Sequence, residues 1–385
     1  MGSEMCIRDR GDVEDVDAAA MELMVSLSKR PMDVENGPLA VMHLIRIDDD
    51  HHIFFFLPHH LVFDGWSFDI FLRELGQYYE SGVAGRELTL EELPIQYSDY
   101  STWQRERSAS GAGEATDNYW SDELQSPPPP IVWPGLTTST ARPLERAMTI
   151  VDKSTCDSLE LACEHYKAKL PDFLLAALLV TLSKAVNRND HLIGLATAGR
   201  FLPEVSGLIG LFYSYVPVRF RQSDANDIGH LMKYVGERVK ASSEFQDISQ
   251  TRLRTLGGIA EDQPLFQVTY SYQEARSRDL SFADLPLEQI SVDRPDTMND
   301  IDFWLRNTRD GLVVSLDYRG SIAEHAIMER FLEDYLAVLH GFINNNLGGI
   351  AWQCGGQLAA EGETRPSDSS DKKSGLFGRL LQGKR

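Results

Sequence analysis

Pro58-His59-His60-Leu61-Val62-Phe63-Asp64-Gly65-Trp66-Ser67 is the stretch on which the reading of this chain turns. Just before it, His51 to Leu57 is dense in aromatic and β-branched residues, the composition of a strand. Asp48-Asp49-Asp50 makes a turn back to a second extended run, Leu39 to Ile47, so a hairpin is expected, with Pro58 ending its second strand. Just after it, Phe68, Phe71, Leu72, Leu75 and Tyr79 recur at helical spacing, and Ser67 is the residue expected to cap that helix. The ten residues therefore form a strand-loop-helix corner with two imidazoles, a carboxylate and a glycine in its loop.

Those residue types can carry chemistry. Neighbouring side chains of an extended run point to opposite faces, so one histidine faces a cleft while the other turns inward, and His60 is expected to be the exposed one. A neutral imidazole can take a proton from, or orient, an attacking amine. The pair can also be simple hydrogen-bonding groups that hold a tight loop. Asp64 can act as a base or a nucleophile, or can close the loop through a cation. Arg200, which ends Ala196-Thr197-Ala198-Gly199-Arg200, is then the expected partner. Gly65 keeps bulk out of a channel and lets the backbone approach a ligand. The first N–H groups of the following helix point back at the loop, where they can stabilise a developing oxyanion.

Elsewhere the chain reads as alternating strands and helices. The first ten residues, 1–10, have no periodicity and read as a non-native assembly scar in front of a helix beginning near Asp15. Residues 11–140 are expected to form a first subdomain, which closes through the proline-rich run Ser126 to Pro134. In 141–353, strands at Ala147 to Val151, His191 to Thr197, Tyr213 to Phe220, Leu265 to Tyr272 and Leu312 to Leu316 alternate with helices. Those helices are expected near Asp157 to Lys167, Phe173 to Val186, Asp227 to Glu244 and Ala323 to Asn344. The order implies a mixed α/β fold of the two-layer α+β kind. From 354 to 385 the composition is that of a disordered tether ending in Leu376, Phe377, Leu380 and Leu381, a frayed end or a short docking peptide.

Composition excludes several classes. With 37 basic against 58 acidic residues the formal charge is −21, spread along the chain, which disfavours nucleic acid and anionic membranes as partners. The four cysteines, Cys6, Cys156, Cys163 and Cys354, show no paired or metal-ligand spacing, so a reducing cytoplasm is expected. No apolar run approaches the roughly 20 residues of a membrane span. His51 and His52 are expected at the surface, and His43, His165, His191, His230, His325 and His340 show no spacing for a metal. Phosphate-binding glycine loops and a serine-nucleophile elbow are absent, so nucleotide cofactors and serine hydrolysis have no support.

The same decapeptide resembles the core motif of nonribosomal peptide synthetase condensation domains. Pro31 to Leu39 and Tyr97-Ser98-Asp99-Tyr100-Ser101-Thr102-Trp103-Gln104 resemble the family's flanking elements. Ile193-Gly194, Gly199-Arg200, Ile209-Gly210-Leu211-Phe212, Val216-Pro217-Val218-Arg219 and Pro264 to Val268 follow in the family's order, so the likeness covers roughly residues 15 to 350. It implies two chloramphenicol acetyltransferase-like subdomains in a V with a tunnel between them. The first looks incomplete, because the family's opening elements are not found. It also implies peptidyl or acyl carrier proteins as partners, their phosphopantetheine arms as substrates, neighbouring synthetase modules, and no directly bound cofactor or metal. His60, His59, Asp64 and Gly65 would form the centre, with Asp64 and Arg200 as a structural ion pair. Ser214 and Phe245 depart from the family's usual Asn and His. Epimerisation domains share the histidines and aspartate but differ at Gly65-Trp66-Ser67. An ester-forming acyltransferase and an inactive carrier-binding remnant are the alternatives.

Overall fold

The computed structural model describes residues 15–109, 113–133, 144–221, 227–275, 281–283, 285–288, 290, 292 and 299–345. The expected scar at 1–10, the boundary near 140 and the tail from 354 lie outside the described residues.

Helix α1 (Val16–Ser28) starts at Asp15, whose carboxylate accepts from the Ala18 N–H at 3.0 Å. Its Met24 and Leu27 pack on Phe55 of an antiparallel hairpin, β1 (Ala40–Arg46) and β2 (His52–Pro58). The period of two explains the rest of that contact. Ile45 pairs with Ile53 and His43 with Phe55, so these share the α1 side, while Met42 pairs with Phe56 and Leu44 with Phe54 on the other. There Phe54 and Phe56 stack on Phe71 of α2 (Gly65–Val83), with ring centroids 6.2 and 4.3 Å apart. The hairpin is thus held between two helices, and Pro58 delivers the chain into the histidine loop.

Two further helices, α3 (Tyr97–Ala109) and α4 (Glu114–Glu123), precede the prolines, and Pro127 to Trp133 forms neither helix nor strand. Then come β3 (Leu144–Asp152), α5 (Lys153–Tyr166), α6 (Leu170–Val186), β4 (Asp190–Thr197), β5 (Ser214–Arg221), α7 (Ile228–Glu244) and α8 (Gln250–Gly257). They are followed by β6 (Val268–Glu274), a short pair β7 (Ser281–Phe282) and β8 (Leu285–Pro286), β9 (Ile301–Thr308), β10 (Gly311–Arg319) and α9 (His325–Ile343). Strand β9 was not expected from the sequence. It lies in the middle of a six-stranded sheet of order β3-β10-β9-β6-β4-β5, in which the β9–β6 and β6–β4 pairs are parallel and the others antiparallel.

One face of this sheet is apolar and covered by helices. Ring contacts join Phe303 of β9 to Tyr335 of α9 at 4.9 Å, and Tyr270 of β6 donates to the Pro171 carbonyl of α6 at 2.6 Å. Every residue from Phe173 to Leu182 is buried, as an all-round apolar helix requires, and each such Phe or Leu contributes about 1.5–3 kcal/mol. The other face carries a row in register across the strands, Arg146, Asp317, Asp302, Thr269, Gly194 and Pro217, whose first four members are polar. Arg146 donates to both oxygens of Asp317 at 2.6 and 2.9 Å, and the Thr269 hydroxyl donates to Asp302 at 2.7 Å. Two residues before Pro217 on the same face of β5 is Tyr215, which leads towards the histidine loop.

Candidate active site

The loop starts extended at His59 (φ −73°, ψ 137°) and makes one 3-10 turn over His60–Val62. It becomes extended again at Phe63 and Asp64 before α2 begins at Gly65. Strand alternation therefore ends one residue short of His60. The turn, not the pleat, leaves His60 exposed and His59 half-buried. His59 Nδ1 accepts the Leu61 N–H at 3.1 Å, and His60 Nδ1 lies 2.8 Å from the Phe63 carbonyl oxygen.

The expected cap is corrected. Asp64, not Ser67, caps α2: its Oδ1 accepts the Ser67 N–H at 2.7 Å, because an extended aspartate just before the first turn reaches the third helical N–H. Ser67 sits inside that turn, its hydroxyl donating to Asp64 Oδ1 or the Gly210 carbonyl at 2.7 and 2.9 Å. The Ser67 N–H, one of the donors expected to serve an oxyanion, is thus taken by the protein's own carboxylate.

The structure brings Arg200 to Asp64. Its Nη2 donates to Oδ1 and Oδ2 at 3.0 and 3.2 Å, with the two side chains only 4% and 2% exposed. Nη1 donates to the Val205 and Leu208 carbonyls, both at 2.8 Å, and the guanidinium carbon sits 4.2 Å from the centre of the Phe212 ring. The Phe212 N–H donates to Asp64 Oδ2 at 3.1 Å, and the Gly210 N–H to Ser67 Oγ at 3.0 Å. Two glycines make the approach possible. A Cβ on Gly199, whose φ is +64°, would lie 1.9 Å from the Phe212 oxygen, and one on Gly210 would lie 2.2 Å from the Tyr97 ring. Tyr97 in turn donates to the Leu211 carbonyl at 2.8 Å, and the Trp66 indole to the Ser206 carbonyl at 3.2 Å. Segments around 64, 97 and 200 thus converge on one carboxylate. Burial alone would raise the Asp64 pKa, but the Ser67 N–H and hydroxyl, the Phe212 N–H and the Arg200 charge together hold it below the usual carboxylate range. With both oxygens occupied, Asp64 offers no free face to a substrate.

Comparison with known proteins gives this arrangement a family. The model of the Condensation domain matches residues 4–351. The chain belongs to the Condensation domain family. Malpibaldin synthetase of Mortierella alpina is 29% identical over 356 residues, 90% of this chain and 6% of that protein. Phosphinothricin tripeptide synthetase PhsC of Streptomyces viridochromogenes is 28% identical over 332 residues, 84% of this chain and 30% of that one. The chain thus spans less than a third of either relative. A solved condensation domain from monacolin K polyketide synthase MokA superposes with a TM-score of 0.75 at 21% identity, covering 89% of this chain and 80% of that one, which shows the shared mixed α/β fold.

Within this condensation domain Tyr213 is a neighbour of His60 that no sequence pattern marks. Its ring stacks on His60, with centroids 6.1 Å apart and planes 27° apart, and meets Tyr215 edge-on at 5.1 Å. Its only sequence signal is a bulky aromatic between Phe212 and Ser214. The departure at Phe245 has a packing reason. Phe245 stacks on Tyr119 at 4.4 Å, and its carbonyl accepts the Trp120 indole N–H at 2.9 Å, inside the core cluster under α4 and α8. Gly65 borders open space, since a Cβ there would meet nothing within 4 Å. Among the described residues no group of three or more His, Cys, Asp or Glu could hold a metal, and no helix is long and apolar enough to cross a membrane.

Proposed function

We propose that this condensation domain joins a carrier-bound acyl or aminoacyl thioester to the amine of a second carrier-bound substrate. The amine nitrogen attacks the thioester carbonyl, the C–N bond forms as the C–S bond breaks, and the amine proton passes to the departing carrier thiolate. His60 is the proton-handling or orienting group. The observation that carries the reading is the exposed imidazole of His60, held by its Nδ1 at the Phe63 carbonyl beside the buried Asp64–Arg200 pair. A carbonyl only accepts, so Nδ1 carries the hydrogen and Nε2 keeps its lone pair for the substrate. His59, bound to the Leu61 N–H, shapes the turn. Asp64 and Arg200 hold the loop, and the open space at Gly65 admits a phosphopantetheine arm.

The family membership and the synthetase names of the relatives support carrier proteins and neighbouring modules as partners. The test uses two loaded carrier proteins, one with an acyl donor and one with an amine acceptor, and reads the amide by mass spectrometry. His60→Ala is expected to lower turnover by about 10² to 10⁴-fold with no change in unfolding midpoint. Unchanged turnover overturns the assignment of His60. An ester formed only from a hydroxyl acceptor, or carrier binding without any product, overturns amide formation.

A further inference from the structure

Exposure alone would leave the ring of His60 free to rotate, because a terminal histidine torsion is broad and roughly two-fold. A half-turn would swap the edges of the ring and take Nδ1 away from the Phe63 oxygen. Two contacts oppose that turn. The 2.8 Å approach of Nδ1 to the Phe63 carbonyl selects the edge, and the face of Tyr213, 6.1 Å away and 27° from parallel, holds the plane out of which the ring would have to swing.

Tyr213 is itself braced. It meets Tyr215 edge-on at 5.1 Å and 75°, and Tyr215 meets Phe266 at 5.6 Å and 61°. Its other brace is the backbone. Tyr213 follows Phe212, whose N–H is bound to Asp64 and whose ring lies under the Arg200 guanidinium. Asp64 therefore reaches His60 by two routes, along its own loop and through Phe212 to Tyr213.

We propose that Tyr213 is a positioning residue that fixes the ring orientation and tautomer of His60. The proposal rests on the reading of His60 given above, but its spectroscopic test does not. All ten histidines of the full chain are labelled with ¹⁵N, and the His60 signals are identified by their loss in His60→Gln. The wild-type spectrum is expected to show His60 as a single Nδ1–H tautomer. Tyr213→Phe keeps it, while Tyr213→Leu, which fills the space without an aromatic face, and Tyr213→Ala give a mixture of tautomers. In the condensation assay the Leu and Ala variants lose about twofold to tenfold in kcat, the range of an aromatic pair, with KM unchanged, and Tyr213→Phe recovers the loss.

A single His60 tautomer in both the Leu and Ala variants overturns the proposal, as does a Phe variant that behaves like Ala. Because the spectra need no substrate, a wild-type protein that forms no amide while showing the expected tautomers removes the proposed reaction and leaves the positioning role standing.

Discussion

Arg200 and Arg219 are both guanidinia whose side chains are 4% exposed, and each binds a carboxylate and backbone carbonyls. What they fasten differs. Arg200 ties the cap of α2 to the chain between Gly199 and Phe212. Arg219 donates to both oxygens of Asp190 at 2.9 and 2.7 Å and to the carbonyls of Glu123, Gln125 and Ser126 at 3.1, 2.7 and 2.8 Å. The second knot pins the end of α4, where the chain enters the prolines, onto strands β4 and β5. Its carboxylate is 34% exposed, whereas Asp64 is 2% exposed. The same chemistry is sealed beside the histidine loop and open to water at the structural joint, so loss of the acid should be felt unequally.

The comparison breaks most visibly when each carboxylate is removed. Asp64→Ala leaves Arg200 buried without its counter-charge and uncaps α2, and should cost about 3–5 kcal/mol, the range for breaking a buried pair from one side. Asp190→Ala leaves Arg219 with three carbonyls and water access, and should cost nearer 1–2 kcal/mol once solvent screening is allowed for. Urea midpoints of the two variants measure this. Equal losses would mean that the burial difference carries no energy.

Acid should separate the two regions next. His191 follows Asp190 on β4, is buried, and approaches the Arg188 carbonyl and Ser183 Oγ through Nε2 at 2.7 and 2.9 Å. Among the described residues its Nδ1 has no partner. Desolvation pushes its pKa from 6.5 down to about 4, because protonation would bury an unpaired N–H on a cation. The unfolded chain therefore binds this proton first. Stability falls as pH drops below 6.5, and the loss is complete below about 4. At 1.36 kcal/mol for each pH unit between those values, the full loss is about 3 kcal/mol. Asp64 works in the opposite sense of charge. Its lowered value gives stability that is present above 3.8 and lost only as pH falls through the folded-state value. Urea midpoints from pH 7 to 3 should show the His191 window first, and His191→Leu should remove most of that slope. A slope between 6.5 and 4 that survives in the variant sinks the assignment.

How much of this was legible depends on whether a residue's job is local. The hairpin, α2, the buried α6 and the pairing of Asp64 with Arg200 were within reach, because periodicity and motif order carry them. The cap of α2 was misplaced by three residues, because Asp64 and Ser67 are both good caps and only the extended backbone at 64 decides between them. Strand β9 hid behind Asp302 and Asn307, polar residues that read as exposed but are buried against Thr269 and Tyr272. Tyr213 and the Arg219 knot were invisible for another reason. The carbonyls that Arg219 binds lie more than 90 residues away and the His60 ring about 150 from Tyr213, and no local pattern reports such a contact.

The smallest effect on stability belongs to Gly65, and it sharpens the contrast between holding the loop and using it. Gly65 is the first residue of α2, lies next to the most buried carboxylate of the loop, and still faces open space on its Cβ side. Alanine costs no clash there and is the better helix former, so Gly65→Ala should shift stability by less than about 0.5 kcal/mol. Gly65→Val adds bulk to the same empty volume. If that volume receives a phosphopantetheine arm, KM for the loaded carrier should rise from Gly to Ala to Val while the urea midpoint barely moves. A KM that stays flat across the series would return Gly65 to a simple first turn of helix, and would leave the approach of the arm to a different side of His60.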